Sequence, residues 1–330
     1  MDPQQAHAVT VRILDNIENV VVGKRSAAQL ALLAAICGGH VLVDDVPGVG
    51  KTVLAKSLAI SLGCSFKRVQ FTPDLLPSDV IGVSIFNQRT GEFDFRPGPV
   101  MAQVMLADEV NRGTPKAQAA LLEAMEESQI TVDGITHPLP KPFLVLATQN
   151  PLEHEGTFSL PEAQRDRFFV RISLGYPTIT EEVQVLERQQ YRHPVSDLQA
   201  VTAPEELLEL QEAVRGIYVD PLIKEYIVRI VDATRKTEML SVGASPRGTL
   251  ALFKGTQART ILEGRDYALP EDVKALVRPV LGHRVILSPT ARVAEASVDD
   301  VLEDVVQSVA VPGAAGASKT PNNNRSWFRG

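Results

Sequence analysis

Apolar residues follow two different rhythms in the first half of the chain. From Gln29 to Cys37 they recur with helical spacing until Gly38-Gly39 interrupts them. Val41-Leu42-Val43 is then a short, unbroken apolar run, followed by a glycine-rich turn and a predicted helix from about Lys51 to Leu62. Val53, Leu54, Leu58 and Leu62 give that helix an apolar face. Two more unbroken runs, Val104 to Ala107 and Phe143 to Thr148, suit strands covered on both sides of a parallel sheet. Strands alternating with helices predict an α/β core.

Two stretches alternate with period two instead. Ile81, Val83 and Ile85 lead to a turn at Thr90-Gly91, and Phe93 and Phe95 return, predicting a hairpin over 81–95. The second hairpin, over 130–137, turns at Asp133-Gly134, a pair suited to the positive φ angles of a two-residue turn. Each hairpin has two readings, a purely structural one and a contact surface for a substrate or partner. From Glu181 to Val306 the periodicity is helical, with Pro204, Pro221, Pro246 and Pro270 near predicted helix starts. The expected division is a core at 1–176, a smaller all-helical lid at 177–312 and a disordered tail at 313–330, rich in Gly, Ala, Ser and Asn.

The polar residues that carry chemistry stand at the ends of these runs. Pro47-Gly48-Val49-Gly50-Lys51-Thr52 joins an apolar strand to a helix, the setting of a phosphate loop. Small residues let backbone N–H groups approach phosphate oxygens. Lys51 would reach the β and γ phosphates of ATP, and Thr52 would offer its hydroxyl to Mg2+. The strict pattern has glycine where this chain has Asp45. The run from Val104 ends in Asp108-Glu109, where Asp108 would hold Mg2+ and Glu109 would activate the attacking water. Thr114-Pro115 reads as the cap and first residue of the next helix.

Asn150, after the run ending at Thr148, could orient water beside the γ phosphate or simply make a turn before Pro151. Arg165 and Arg167 in Leu160–Phe168, and Arg247 in Gly243-Ala244-Ser245-Pro246-Arg247, suit phosphate because guanidinium is planar and permanently charged. Each could equally be a surface or salt-bridge residue.

Phosphate loop, Asp-Glu strand, Asn strand, Asp-Arg-Phe and lid arginine follow one another in the order of an AAA+ ATPase. The wording resembles the MoxR family in "DVPGVGKT", "FTPDLLPSDVIG", "RTGEFDFRPGPV", "ADEVNRGTPKAQAALLEAMEESQITVDG", "ATQNPLEHEGTFSLPEAQRDRF" and "GASPRGTLAL". The likeness extends through "GRDYALPEDVKALVRPVLGHR" to Arg284. The resemblance implies an AAA+ core with an insert hairpin, a helical lid, and rings, usually hexamers, holding ATP between subunits. It implies chaperone-like remodelling or maturation of client proteins, often alongside proteins with a von Willebrand factor A domain. It makes Asn150 the first sensor, Arg247 the second, and Arg167 an arginine finger reaching a neighbour's nucleotide. Arg165 stands where leucine is usual, so Arg165 competes with Arg167 for that role.

Composition narrows the alternatives. The net charge of −7 gives no general attraction to nucleic acid or anionic membrane, which weighs against a nucleic-acid motor. Glu109 and a candidate finger weigh against a nucleotide-gated scaffold without turnover. Cys37 and Cys64 lack metal-ligand spacing and read as small hydrophobes in a reducing compartment. The most apolar stretch, Ala27 to Val43, is broken by Gln29, Gly38-Gly39 and His40, so it reads as helix and strand rather than a membrane span. The N-terminus lacks a basic segment followed by an apolar one, and a cytoplasmic protein is expected.

Overall fold

The computed structural model describes residues 1–150, 157–190 and 194–312. The tail expected at 313–330 lies outside the described residues. The chain opens with helices α1 (Pro3–Glu18) and α2 (Arg25–Ile36), strand β1 (Val41–Asp44), α3 (Lys51–Ser61) and β2 (Phe66–Gln70). Helix α4 (Pro77–Ile81) leads into the hairpin of β3 (Gly82–Asn87) and β4 (Glu92–Pro97). Strand β5 (Val104–Asp108), helix α5 (Pro115–Glu127) and the hairpin of β6 (Gln129–Val132) and β7 (Ile135–Pro138) follow. Strand β8 (Leu144–Gln149), α6 (Glu162–Arg165) and β9 (Val170–Ile172) come next. Beyond β9 lie α7 (Ile179–Gln189), α8 (Pro204–Arg215), α9 (Pro221–Lys236), β10 (Leu240–Val242), α10 (Pro246–Leu262) and α11 (Pro270–Leu281). Strand β11 (Ile286–Leu287), α12 (Pro289–Val293) and α13 (Val298–Ser308) complete the described chain.

The main sheet has five strands in the order β2-β5-β8-β1-β9, all parallel. Its faces explain the unbroken apolar runs. Val41, Val43, Leu106, Leu144 and Leu146 bury one way, against α1, α2, α3 and the helices that follow β9. Leu42, Met105, Ala107, Val145 and Ala147 bury the other way, against α5. Both faces are covered, so the runs 41–43, 104–107 and 144–147 are apolar throughout, and polar residues stand only at the strands' carboxyl ends. One core thus runs continuously from the sheet into the lid: Tyr226, Leu252 and Leu276 share it with Leu32 and Val170.

Both hairpins form. Asp133 and Gly134 take φ of 51° and 79°, as a two-residue turn requires. Phe86 and Phe93 pack against each other on the first hairpin, yet both remain exposed. Pro204, Pro221, Pro246 and Pro270 each open a helix. The lid is helical but not entirely so. Leu240 and Val242 pair antiparallel with Leu287 and Ile286, a ladder too short to show period two in the sequence. Strand β2 also escapes the apolar pattern. It is the sheet edge, and of its residues only Val69 is buried.

Candidate functional site

Parallel strands bring their carboxyl ends to one edge of a sheet, where α/β proteins bind ligands. Here Asp44 of β1 is paired with Gln149 of β8, and Ala107 of β5 with Ala147 of β8. The segments that follow these three strands, carrying Lys51, Glu109 and Asn150, therefore meet at one edge.

The phosphate-loop candidates form an open turn there. Pro47 and Gly48 are exposed at its crest, and Val49 is half-buried against the core. Gly48 and Gly50 have φ of 83° and 96°, a region that L side chains rarely adopt, and a Cβ at either would meet open space. Gly50 precedes α3 without a side-chain cap, so no side chain competes for the N–H groups of the first turn, where Lys51 and Thr52 sit. The Lys51 ammonium donates to the Asp45 carbonyl at 2.7 Å and lies 3.5 Å from the Gln149 carbonyl. An uncapped helix start, two glycines facing open space and a lysine parked on backbone carbonyls fit the phosphates of a nucleotide.

Asp45, where the strict motif has glycine, is buried. Its Oδ2 accepts from Leu174 N at 2.6 Å, Gly175 N at 2.8 Å and Ser173 Oγ at 3.0 Å, and its Oδ1 accepts from Val46 N at 2.9 Å. Burial by itself would raise the Asp45 pKa. The four hydrogen bonds outweigh it and hold the carboxyl below its ordinary value.

Across the edge, Asp108 is buried and Glu109 half-buried. The Thr148 hydroxyl donates to Asp108 Oδ1 at 2.6 Å and accepts from Glu109 N at 2.8 Å. Glu109 itself has a φ of 53°, uncommon for a residue other than glycine. Its Oε2 accepts from Gln70 Nε2 at 2.6 Å and Arg112 at 3.0 Å. Arg68 donates through two nitrogens to Asp108 Oδ2, at 2.7 and 3.0 Å. A cation therefore already occupies the carboxylate read as the Mg2+ ligand, and an all-oxygen pair from Asp108 and Thr52 suits that hard ion. Asn150 is buried beside Asn111, whose amide lies 3.5 Å from the Asn150 carbonyl. Arg68, Gln70 and Thr148 were not visible as site residues in the sequence. Two of them ride on β2, the strand the pattern missed.

The arginines divide between two places. Arg167 donates to Glu126 Oε2 at 2.7 Å, and Arg247 pairs with the other oxygen of the same carboxylate. Those two ion pairs hold the Glu126 carboxyl below its ordinary pKa, Arg167 being the larger cause. Glu126, Arg167, Arg247 and Lys254 line a depression together with Gly39 and His40. His40 precedes β1, so this depression lies at the amino end of the sheet, opposite the phosphate loop. At about 3.3 Å per residue, the run from His40 to Asp45 separates the two ends by roughly 16 Å. His40 helps fix that end. Its Nδ1 accepts from Val145 N at 3.1 Å, which leaves Nε2–H to donate to the Met125 carbonyl at 3.2 Å. Burial drives its pKa down to about 4, so the ring is neutral. Arg165 lines a separate depression with Gln149, Ser159 and Leu160, and its Nε is buried without a hydrogen-bond partner.

Comparison with known proteins agrees with this architecture. The ATPase family associated with various cellular activities (AAA) matches residues 40–170, and an AAA lid domain matches residues 232–305. The uncharacterized protein YeaC of Bacillus subtilis is 49% identical, over 94% of this chain and 97% of its own. Chaperone MoxR1 of Mycobacterium tuberculosis is 42% identical, over 91% of this chain and 82% of its own. The crystal structure of a candidate ATPase from Cytophaga hutchinsonii superposes with a TM-score of 0.88 at 37% identity, covering 94% of this chain and 96% of that one. With the phosphate-loop edge, the lid and relatives of this similarity, the chain belongs to the MoxR family of AAA+ ATPases.

Proposed function

We propose that this chain binds ATP on Pro47 to Thr52 and hydrolyses it between subunits of a closed homo-oligomeric ring, six-membered as the family resemblance implies. The turnover remodels client proteins, a role in keeping with the relative named chaperone MoxR1. Clients or partners with a von Willebrand factor A domain, and action in the cytoplasm, are part of the same proposal. So is the division into a core at 1–176 and a lid at 177–312. Among the described residues no helix is long and apolar enough to cross a membrane.

One observation carries the reading. The candidate finger and the lid arginine share Glu126 at the end of the sheet opposite the phosphate loop, out of reach of the chain's own nucleotide site. Two clustered guanidiniums that cannot serve their own site suit a neighbour's γ phosphate.

In the proposed reaction, the first-turn amides of α3 and the Lys51 ammonium bind the phosphates. Mg2+, held by Thr52 and Asp108, would neutralise charge on the β and γ phosphates. Glu109, oriented by Gln70 and Arg112, takes a proton from the attacking water, and Asn150 helps to position that water. Arg167 and Arg247 of the adjacent subunit leave Glu126 and stabilise the charge that develops on the transferred phosphoryl group.

The test is complementation. Arg167→Ala should bind ATP normally and hydrolyse it on the order of 10³-fold or more slowly, the effect of losing an arginine finger. A surface ion pair would contribute only about 0 to 1 kcal/mol. Lys51→Ala should fail to bind ATP tightly. Mixing the two inactive proteins should restore activity, because an intact phosphate loop then faces an intact finger. Arg165→Ala, the control, should be milder. Mixed assemblies that form yet stay inactive would refute action between subunits.

A further inference from the structure

Residue 45 departs from the ordinary phosphate-loop pattern, and the structure gives the departure a use. All three polar parts of Asp45 are engaged. Its amide lies 3.3 Å from the Gln149 carbonyl, and its own carbonyl accepts the Lys51 ammonium at 2.7 Å. Its carboxylate receives the Ser173 hydroxyl and the Leu174 and Gly175 amides. Residues 173–175 are the first after β9, and they lead through the turn at Gly175, with φ 62°, into α7 and the lid. The Lys24 ammonium holds the next carbonyl, that of Tyr176, at 3.0 Å.

A turn by itself does not call for a charge at this position. Burying a carboxylate is costly unless hydrogen bonds replace its lost water, and here four of them do. The backbone at residue 45 is outside the positive-φ region, so glycine is not demanded there by conformation. The acid does what glycine cannot. It fastens the first residue of the phosphate loop to the linker between core and lid.

We propose that Asp45 is a positioning residue that couples nucleotide occupancy of the phosphate loop to the core–lid linker. The inference rests on the reading of Pro47 to Thr52 as the phosphate loop. Incoming phosphates compete with the Asp45 carbonyl for the Lys51 ammonium. Any shift of the residue-45 backbone that follows is passed by the carboxylate to Ser173, Leu174 and Gly175. Lid position and loop state then change together, and through the lid so does the setting of Arg247.

Hydrogen exchange on the full chain tests this, with MgADP and a non-hydrolysable MgATP analogue as probes. In the parent, nucleotide should change the exchange of amides 174–178. Asp45→Gly installs the residue of the strict motif, so it should fold and bind both probes within a few-fold of the parent. Its exchange at 174–178 should no longer respond to nucleotide. If Asp45 acts through the linker rather than on the nucleotide itself, kcat should fall while KM moves less. Asp45→Asn keeps one acceptor oxygen and should recover part of both responses. If Asp45→Gly is too unstable to study, Asp45→Ala, which also lacks the acceptor oxygens, against the parent carries the same comparison. A nucleotide response at 174–178 of parental size in Asp45→Gly or Asp45→Ala would overturn the coupling. So would an absent response in a parent that binds nucleotide. Failure of the parent to bind either probe would instead overturn the phosphate-loop reading.

Discussion

The hydroxyl of Thr148 faces both acids at the end of β5. It donates to Asp108 and accepts the Glu109 amide, which fixes the backbone at Glu109 in a left-handed conformation. Such a conformation costs a non-glycine residue on the order of 1–3 kcal/mol and persists only where neighbours impose it. Here it turns the Glu109 side chain toward Gln70 and Arg112 at the carboxyl edge of the sheet. Glu109→Gln keeps the size and the backbone but cannot accept a proton. It should bind ATP as the parent does and hydrolyse it about 10² to 10⁴-fold more slowly, as phosphate release in single turnover would measure. Parental turnover would assign the base to another residue. Asp108, Glu109 and Lys51 were legible in the sequence because each closes an apolar run or a glycine turn. Thr148 was not, because a threonine within a strand has no distinguishing pattern. Asp45 was legible only as an exception, since its partners lie some 130 residues away and no spacing rule connects them.

Elements were legible in proportion to their burial. Strands β1, β5 and β8 are covered on both faces, and each is an unbroken apolar run up to its polar carboxyl end. Strand β2 is mostly exposed and merges with its flanks, and its Arg68 and Gln70 were hidden with it. Helix α1 packs on α2, α3 and α10 through Val9, Ile13 and Ile17. Its contacts with both core and lid were beyond any reading of local period. The junction between α6 and α10 is likewise a product of folding. Arg284, with a side chain 3% exposed, donates to the Asp166 carboxylate and to the Asp166 and Phe168 carbonyls. Ser245, the N-cap of α10, donates to the other Asp166 oxygen at 2.9 Å. Asp166→Ala would leave a buried guanidinium without its counter-ion and should cost about 3 kcal/mol, read as a lower urea midpoint. Asp166→Asn, which retains acceptor and shape, should lose less. Equal midpoints for parent and Asp166→Ala would show that the backbone carbonyls of Asp166, Phe168 and Val280 suffice for Arg284.

At the scale of the whole molecule, a single sheet separates the two halves of the chemistry. The groups proposed to bind phosphate and activate water, Lys51 and Glu109, gather at its carboxyl ends, while Arg167 and Arg247 gather on Glu126 at the amino ends. On the proposed reading, a chain so built has half of one site on each end and no complete site of its own. Complete sites are then counted by contacts rather than by chains. An open row of subunits has one fewer site than it has members, and only a closed row has equal numbers. ATPase activity per chain should therefore fall on dilution and level off at high concentration, as a series of protein concentrations assayed at saturating ATP would reveal. Activity per chain that stayed constant down to concentrations where light scattering finds only monomers would show that one chain suffices. A client that docks on the assembly and brings subunits together would raise the rate without touching a nucleotide. The geometry of the sheet would then make turnover report how many neighbours a subunit has.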